Sequence, residues 1–148
     1  MSGEHHFTAS VTWDATERSG VLASGTGLLS TSFGGAPSLG GRVDRTNPEE
    51  LLLGALLACF VQTWAIFLTK LRLPVESPRV DGTLELDVDP AGGYRVTRVD
   101  LSAYVPAALL AEREADVLKT LALAEKYCIV SKAVKGDGRE VHVTPVGV

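Results

Sequence analysis

Cysteine occurs twice in this chain, methionine once and histidine three times. His5, His6 and His142 are too few and too scattered for a metal site, which also wants cysteine or carboxylate partners at suitable spacing. No run of lysine or arginine is present. With a formal net charge of -4 and a pI near 5.3, the electrostatic footprint of a nucleic-acid binder is missing. The N-terminus, MSGEHHFTASV, lacks the basic start, apolar core and small-residue cleavage site of a signal peptide, so the cytoplasm is the expected compartment. There, two cysteines read as free thiols or a working redox pair rather than a structural disulfide. Gly34, Gly35, Gly40 and Gly41 lack the strand, glycine loop and helix order of a nucleotide site. Ser30 and Ser32 have no His and Asp context for a nucleophile. No cofactor is expected.

What is present is a core former. At 148 residues with 45% hydrophobic and 22% charged residues, the chain fits one globular domain over 1–148. Its centre is the stretch Thr46 to Leu73, TNPEELLLGALLACFVQTWAIFLTKLRL. Asn47 suits an N-cap, Pro48 the first helical turn, and Glu49 and Glu50 the positive end of the helix dipole. Lys70 and Arg72 suit the negative end, and Pro74 stops the helix. Between them no polar stripe remains, which predicts burial all round. Residues 51–68 carry no charge, and a run of that length can cross a bilayer on hydropathy alone. Gln62 and Thr63 lie at its middle, however, and the flanking segments alternate apolar with polar residues and need an apolar partner. A core helix, and no membrane, is the better reading.

Phe7, Ala9, Val11 and Trp13 predict a half-buried strand, followed by a turn over 14–20 and short strands at Val21 to Ser24 and Leu28 to Ser32. FGGAPSLGGRVDR, residues 33–45, reads as a loop. Leu84, Leu86 and Val88 mark a strand, Asp89 to Gly93 a hairpin turn, and Tyr94 to Val105 the return strand. The apolar phase of that strand shifts by one residue, which predicts a bulge near Arg98. One amphipathic helix is expected over 107–127, with Leu110, Val117, Leu121 and Ala124 on its core face and Cys128 continuing it. A further helical turn over Ile129 to Lys135 and a strand around Val141 and Val143 complete an α+β pattern with antiparallel sheets. One small sheet covers only one side of an all-apolar helix, and a second chain would cover the other.

Cys59 lies mid-helix, where its bland role is a small core residue. Burial alone raises a thiol above about 8.5 and makes it inert, so a reactive Cys59 calls for a nearby cation. Arg18, Arg42 and Arg45 are the candidates. Glu49 is most simply a helix N-terminal carboxylate, about 15 Å along the helix from Cys59. Both cysteines fall on predicted core-facing positions of the two long helices.

TNPEELLLGALLACF resembles the signature of the OsmC/Ohr family, the osmotically inducible and organic hydroperoxide resistance proteins, and EKYCIVSKAVKG its second cysteine motif. The LLLGALLACF form is similar to the general OsmC-like branch. The resemblance covers nearly the whole chain and implies a thiol-dependent peroxidase for organic hydroperoxides, acting in oxidative stress defence. It also implies an intertwined homodimer whose central helices are wrapped by sheets from both chains. On this resemblance Cys59 matches the peroxidatic cysteine, Cys128 the resolving cysteine and Glu49 the glutamate of NPEE. Arg18 matches the arginine of the hydroperoxide-resistance branch, and Arg42 lies in the loop where another branch supplies it. The residue after the second cysteine is often proline in the family and is Ile129 here. The implied chemistry is a Cys59 sulfenic acid that condenses with Cys128, the disulfide being reopened by an external dithiol, for which a lipoyl-bearing protein is one implied reductant. Leu56 and Phe60 are expected to line an apolar substrate pocket. The alternatives are a non-catalytic small-molecule binding dimer and a thiol redox sensor.

Overall fold

A computed structural model describes residues 3–148, in the order β1 (Ala9–Asp14), β2 (Ser19–Ser24), β3 (Ser30–Phe33), α1 (Pro48–Lys70), β4 (Arg79–Val88), β5 (Tyr94–Val105), α2 (Ala107–Glu112), α3 (Glu114–Tyr127), α4 (Ile129–Val134) and β6 (Glu140–Gly147). The class is α+β. Contacts gather into two compact units, the first ending at Leu52 and the second running from Leu53 to Val148.

In the first unit β1, β2 and β3 form an antiparallel sheet in chain order. The expected half-burial of β1 does not hold: all six of its residues are exposed, Val11 at 58% and Trp13 at 54%. One small sheet, a short 3-10 turn over Pro37–Leu39 and the first turn of α1 supply too little apolar surface to cover that strand. Trp13 does stack against Phe33, ring centroids 5.8 Å apart. The start of α1 is capped by Asn47, whose side chain pairs reciprocally with Glu50. Asn47 Oδ1 accepts from the Glu50 amide at 2.9 Å, while Asn47 Nδ2 donates back to Glu50 Oε1 at 2.8 Å.

In the second unit β4 and β5 pair antiparallel, and β6 lies parallel to β5. The expectation of purely antiparallel sheets is corrected here: α2, α3 and α4 form the crossover that lets β6 return in the same direction. The bulge is present, because Arg98 faces Glu85 and Val96 faces Leu86, leaving Thr97 without a partner residue.

The expected helix over 107–127 is broken. Arg113 leaves helical geometry at φ -132°, and its guanidinium donates to the carbonyls of Leu71 and Arg72 just beyond α1, and to Asp116 at 3.0 Å. It thereby satisfies carbonyls that the end of α1 leaves free. The break rotates α2, so Leu109 is buried in place of Leu110.

α1 also departs from burial all round. Leu56, Phe60, Trp64 and Leu68 form its one buried ridge, four residues apart, against a core of Val99, Leu101, Val117, Leu121 and Ala124. Trp64 Nε1 donates to Thr120 Oγ1 at 3.0 Å inside that core. Gly82 of β4 permits a close approach to α1, for a Cβ there would lie 3.1 Å from both Leu53 and Leu57. On the opposite side Ala55, Ala58, Gln62, Ile66 and Thr69 form an exposed stripe.

Candidate active site

The reactive groups of the second unit meet where α1 passes the junction of α3 and α4. α3 stops at Tyr127, because Cys128 takes extended geometry (φ -70°, ψ 112°) and becomes the N-cap of α4. Its Sγ accepts from the Ser131 amide at 3.4 Å. Cys128 is therefore buried outside the helix it was expected to continue. Ile129, in the position where the family often has proline, is the first residue of α4 and 75% exposed.

Cys59 and Cys128 are both free thiols, and each influences the ionisation of the other. Burial pushes Cys59 up, and against it act the Val130 amide, the Cys128 thiol, the Ile129 amide and the Thr63 hydroxyl; the sum lies below the ordinary thiol value. Burial pushes Cys128 up to about 11, with the Ser131 amide opposing and the neighbouring Cys59 adding to the rise. The two thiols are thus pushed in opposite directions, Cys59 toward easier ionisation and Cys128 away from it. The sequence pattern pointed to a cation as the source of this lowering. The groups that act on Cys59 in this way here are neutral donors of the second unit.

The first unit holds the other candidates. Arg18 sits at φ +53° in the turn after β1 and donates to the Gly40 carbonyl at 3.0 Å. Arg42 clasps Asp44 through two bonds of 2.8 Å and reaches the Glu17 carboxylate at 3.2 Å, which makes it a loop staple. Glu49 Oε2 is buried without a hydrogen-bond partner, as is Arg45 Nε. Among the described residues no ion pair joins Glu49 to Arg18, and Glu50, not Glu49, pairs with the Asn47 cap.

Leu56 and Phe60, expected to line a pocket, are 1% and 0% exposed and belong to the core. An open groove of about 540 Å³ lies instead along Thr63, Ile66, Phe67, Lys70, Leu123 and Tyr127, beginning one helical turn after Cys59. Phe67 and Tyr127 stack across it with centroids 5.6 Å apart. Thr63, Ser131 and the amides of Ile129 and Val130 were missed as site groups. The spacing of four between Cys59 and Thr63 was the signal available for the first of these; backbone amides leave no signature in sequence.

The family model for OsmC-like protein matches residues 40–143. The chain belongs to the OsmC-like family. Among curated relatives, the uncharacterised protein YmaD of Bacillus subtilis is 27% identical over 143 residues, covering 90% of this chain and 89% of YmaD. The organic hydroperoxide resistance protein-like 1 of Staphylococcus epidermidis is 32% identical over 92 residues, 62% of this chain and 64% of the relative. The OsmC-like fold agrees with the crystal structure of an organic hydroperoxide resistance protein from Elizabethkingia anophelis, at a TM-score of 0.82 and 23% identity over the full length of both chains. OhrB of Bacillus subtilis superposes at 0.71 with 23% identity, over 95% of this chain and 98% of OhrB.

Proposed function

We propose that this OsmC-like chain is a thiol-dependent peroxidase that reduces organic hydroperoxides in peroxide defence, with 1–148 acting as one domain. The observation that carries the reading is a pair of free thiols that influence each other's ionisation with opposed tendencies, Cys59 lowered and Cys128 raised to about 11. The relatives named for organic hydroperoxide resistance support the substrate class. The Cys59 thiolate attacks the terminal peroxide oxygen, the S–O bond forms as the O–O bond breaks, and the alkoxide takes a proton from water. Cys128 then attacks the sulfenic sulfur, a disulfide forms and water leaves. An external dithiol, with a lipoyl-bearing protein as one candidate, reopens the bond by exchange in the cytoplasm.

Arg18 and Glu49 enter as groups of a site completed in an intertwined homodimer, in which Glu49 orients the guanidinium and Arg18 stabilises the attacking thiolate. The unpartnered Glu49 Oε2 and the exposed stripe of α1 support that assembly. Cys59→Ser is expected to abolish dithiol-dependent consumption of cumene hydroperoxide. Retained consumption in that variant contradicts the assignment.

A further inference from the structure

α4 is short, six residues from Ile129 to Val134, and the Cys128 sulfur caps its start by accepting from the Ser131 amide at 3.4 Å. Sulfur is a weaker acceptor than the oxygens that usually cap a helix. The far end is tied more firmly: Lys135 Nζ pairs with Glu125 Oε1 of α3 at 2.6 Å, and Arg139 Nε donates to the Val134 carbonyl. Ser131 is 1% exposed, and its hydroxyl has no hydrogen-bond partner. A buried hydroxyl without a partner costs free energy that contact with water removes. Ile129, mostly exposed, adds little packing at the capped end. α4 is thus held at its start by one sulfur, while Ser131 favours lifting.

We propose that α4 is a redox-controlled flap: when Cys128 joins Cys59 in a disulfide its sulfur leaves the Ser131 amide, and the start of α4 lifts to give the external dithiol a path to the Cys128 sulfur. This rests on Cys59 and Cys128 being the pair that is oxidised. The hydroperoxide takes the two electrons in forming the Cys59 sulfenic acid. Cys128 then attacks that sulfur, the S–S bond forms, and the Cys128 proton leaves with the sulfenic oxygen as water. A disulfide sets its sulfurs far closer than two free thiols stand, so the Cys128 sulfur is drawn off the amide. The six-residue α4 yields, since the 23-residue α1 is anchored by its buried ridge. In the thiol form Cys128 is 0% exposed, which keeps reductant away until there is a bond to reopen. Reduction returns the sulfur to the amide and closes the flap.

Amide hydrogen exchange of the full chain, read by mass spectrometry over residues 129–134, follows the flap. After stoichiometric cumene hydroperoxide, exchange in the wild type should quicken about fivefold, the loss of one cap. Cys128→Ser keeps an acceptor and cannot form the disulfide, so its exchange should not change. Reduced Cys128→Ala, without the acceptor, should exchange about fivefold faster than the reduced wild type. Ser131→Ala removes the hydroxyl that gains water on opening, so dithiothreitol should reduce its disulfide roughly fivefold more slowly. Unchanged exchange in wild type whose disulfide is verified overturns the proposal. So does reduced Cys128→Ala that exchanges like the wild type, or an unchanged reduction rate in Ser131→Ala. If peroxide leaves the wild type reduced, the peroxidase reading falls, and diamide, which accepts two electrons and two protons from a thiol pair, makes the disulfide instead. Faster exchange in that product upholds the flap; unchanged exchange, or thiols that diamide also leaves unjoined, overturns it.

Discussion

Cys59 and Cys128 are both buried to some degree, and burial raises both thiols; what separates them is that the neighbouring donors outweigh burial at Cys59, while at the fully buried Cys128 burial outweighs the Ser131 amide. Because the thiolate is the reactive form, alkylation of Cys59 should rise with pH through a midpoint below the ordinary thiol value and level off above it, while Cys128 rises only near 11. Peptide-resolved iodoacetamide kinetics read the two curves, and a reversed order would contradict the assignment of roles. Asp44 offers a second titration. Hydrogen bonding to Arg42 holds its carboxyl down to about 2. A carboxylate lowered on folding contributes stability that is fully present above the unfolded value of about 3.9 and is lost as pH falls through the folded one. Asp44→Asn should therefore weaken the acid-side dependence of stability in that window, as followed by circular dichroism. The two cysteines were legible as candidates from their helices. Their polarisation was not, since it depends on amides of Ile129 and Val130 that any sequence would possess.

Helices and strands were largely legible because their signals are local: the Asn47 cap, the Pro74 stop, the hairpin over Asp89 to Gly93 and the phase shift beside Arg98 each sit within a few residues of the feature they cause. The failures are tertiary. The break at Arg113 answers to carbonyls about forty residues away in sequence, and the parallel return of β6 depends on which edge of β5 was vacant. Packing of α1 on its neighbours makes two tests. Thr120→Val leaves the buried Trp64 indole N–H without its acceptor and should cost about 1–3 kcal/mol in urea unfolding. Gly82→Val forces branched methyls toward Leu53, Leu57 and Leu101, which already stand 3.0–3.1 Å from a Cβ position, and should cost about 1–3 kcal/mol. A loss within about 0.3 kcal/mol in either variant would contradict the packing described.

For the whole molecule, the all-apolar character of α1 exceeds what one chain covers: its Leu56 ridge is buried, and its Ala55, Ala58, Gln62, Ile66 and Thr69 stripe is not. A second copy is the partner proposed for that stripe, and small residues there would let two helices approach closely. Ala58→Arg should then shift sedimentation from dimer toward monomer; an unchanged dimer would require a different interface. The family was legible from two short motifs, and the need for a second covering surface from an all-apolar helix; what covers the exposed face was not, because no local pattern records it. The most direct test of the central claim is mass spectrometry of the reduced protein after stoichiometric cumene hydroperoxide, wild type beside Cys128→Ser. Rapid loss of two hydrogens with a Cys59 to Cys128 crosslink in the wild type, and a sulfenic acid held on Cys59 in the variant, is the expected result. Two proteins that both stay reduced would contradict it.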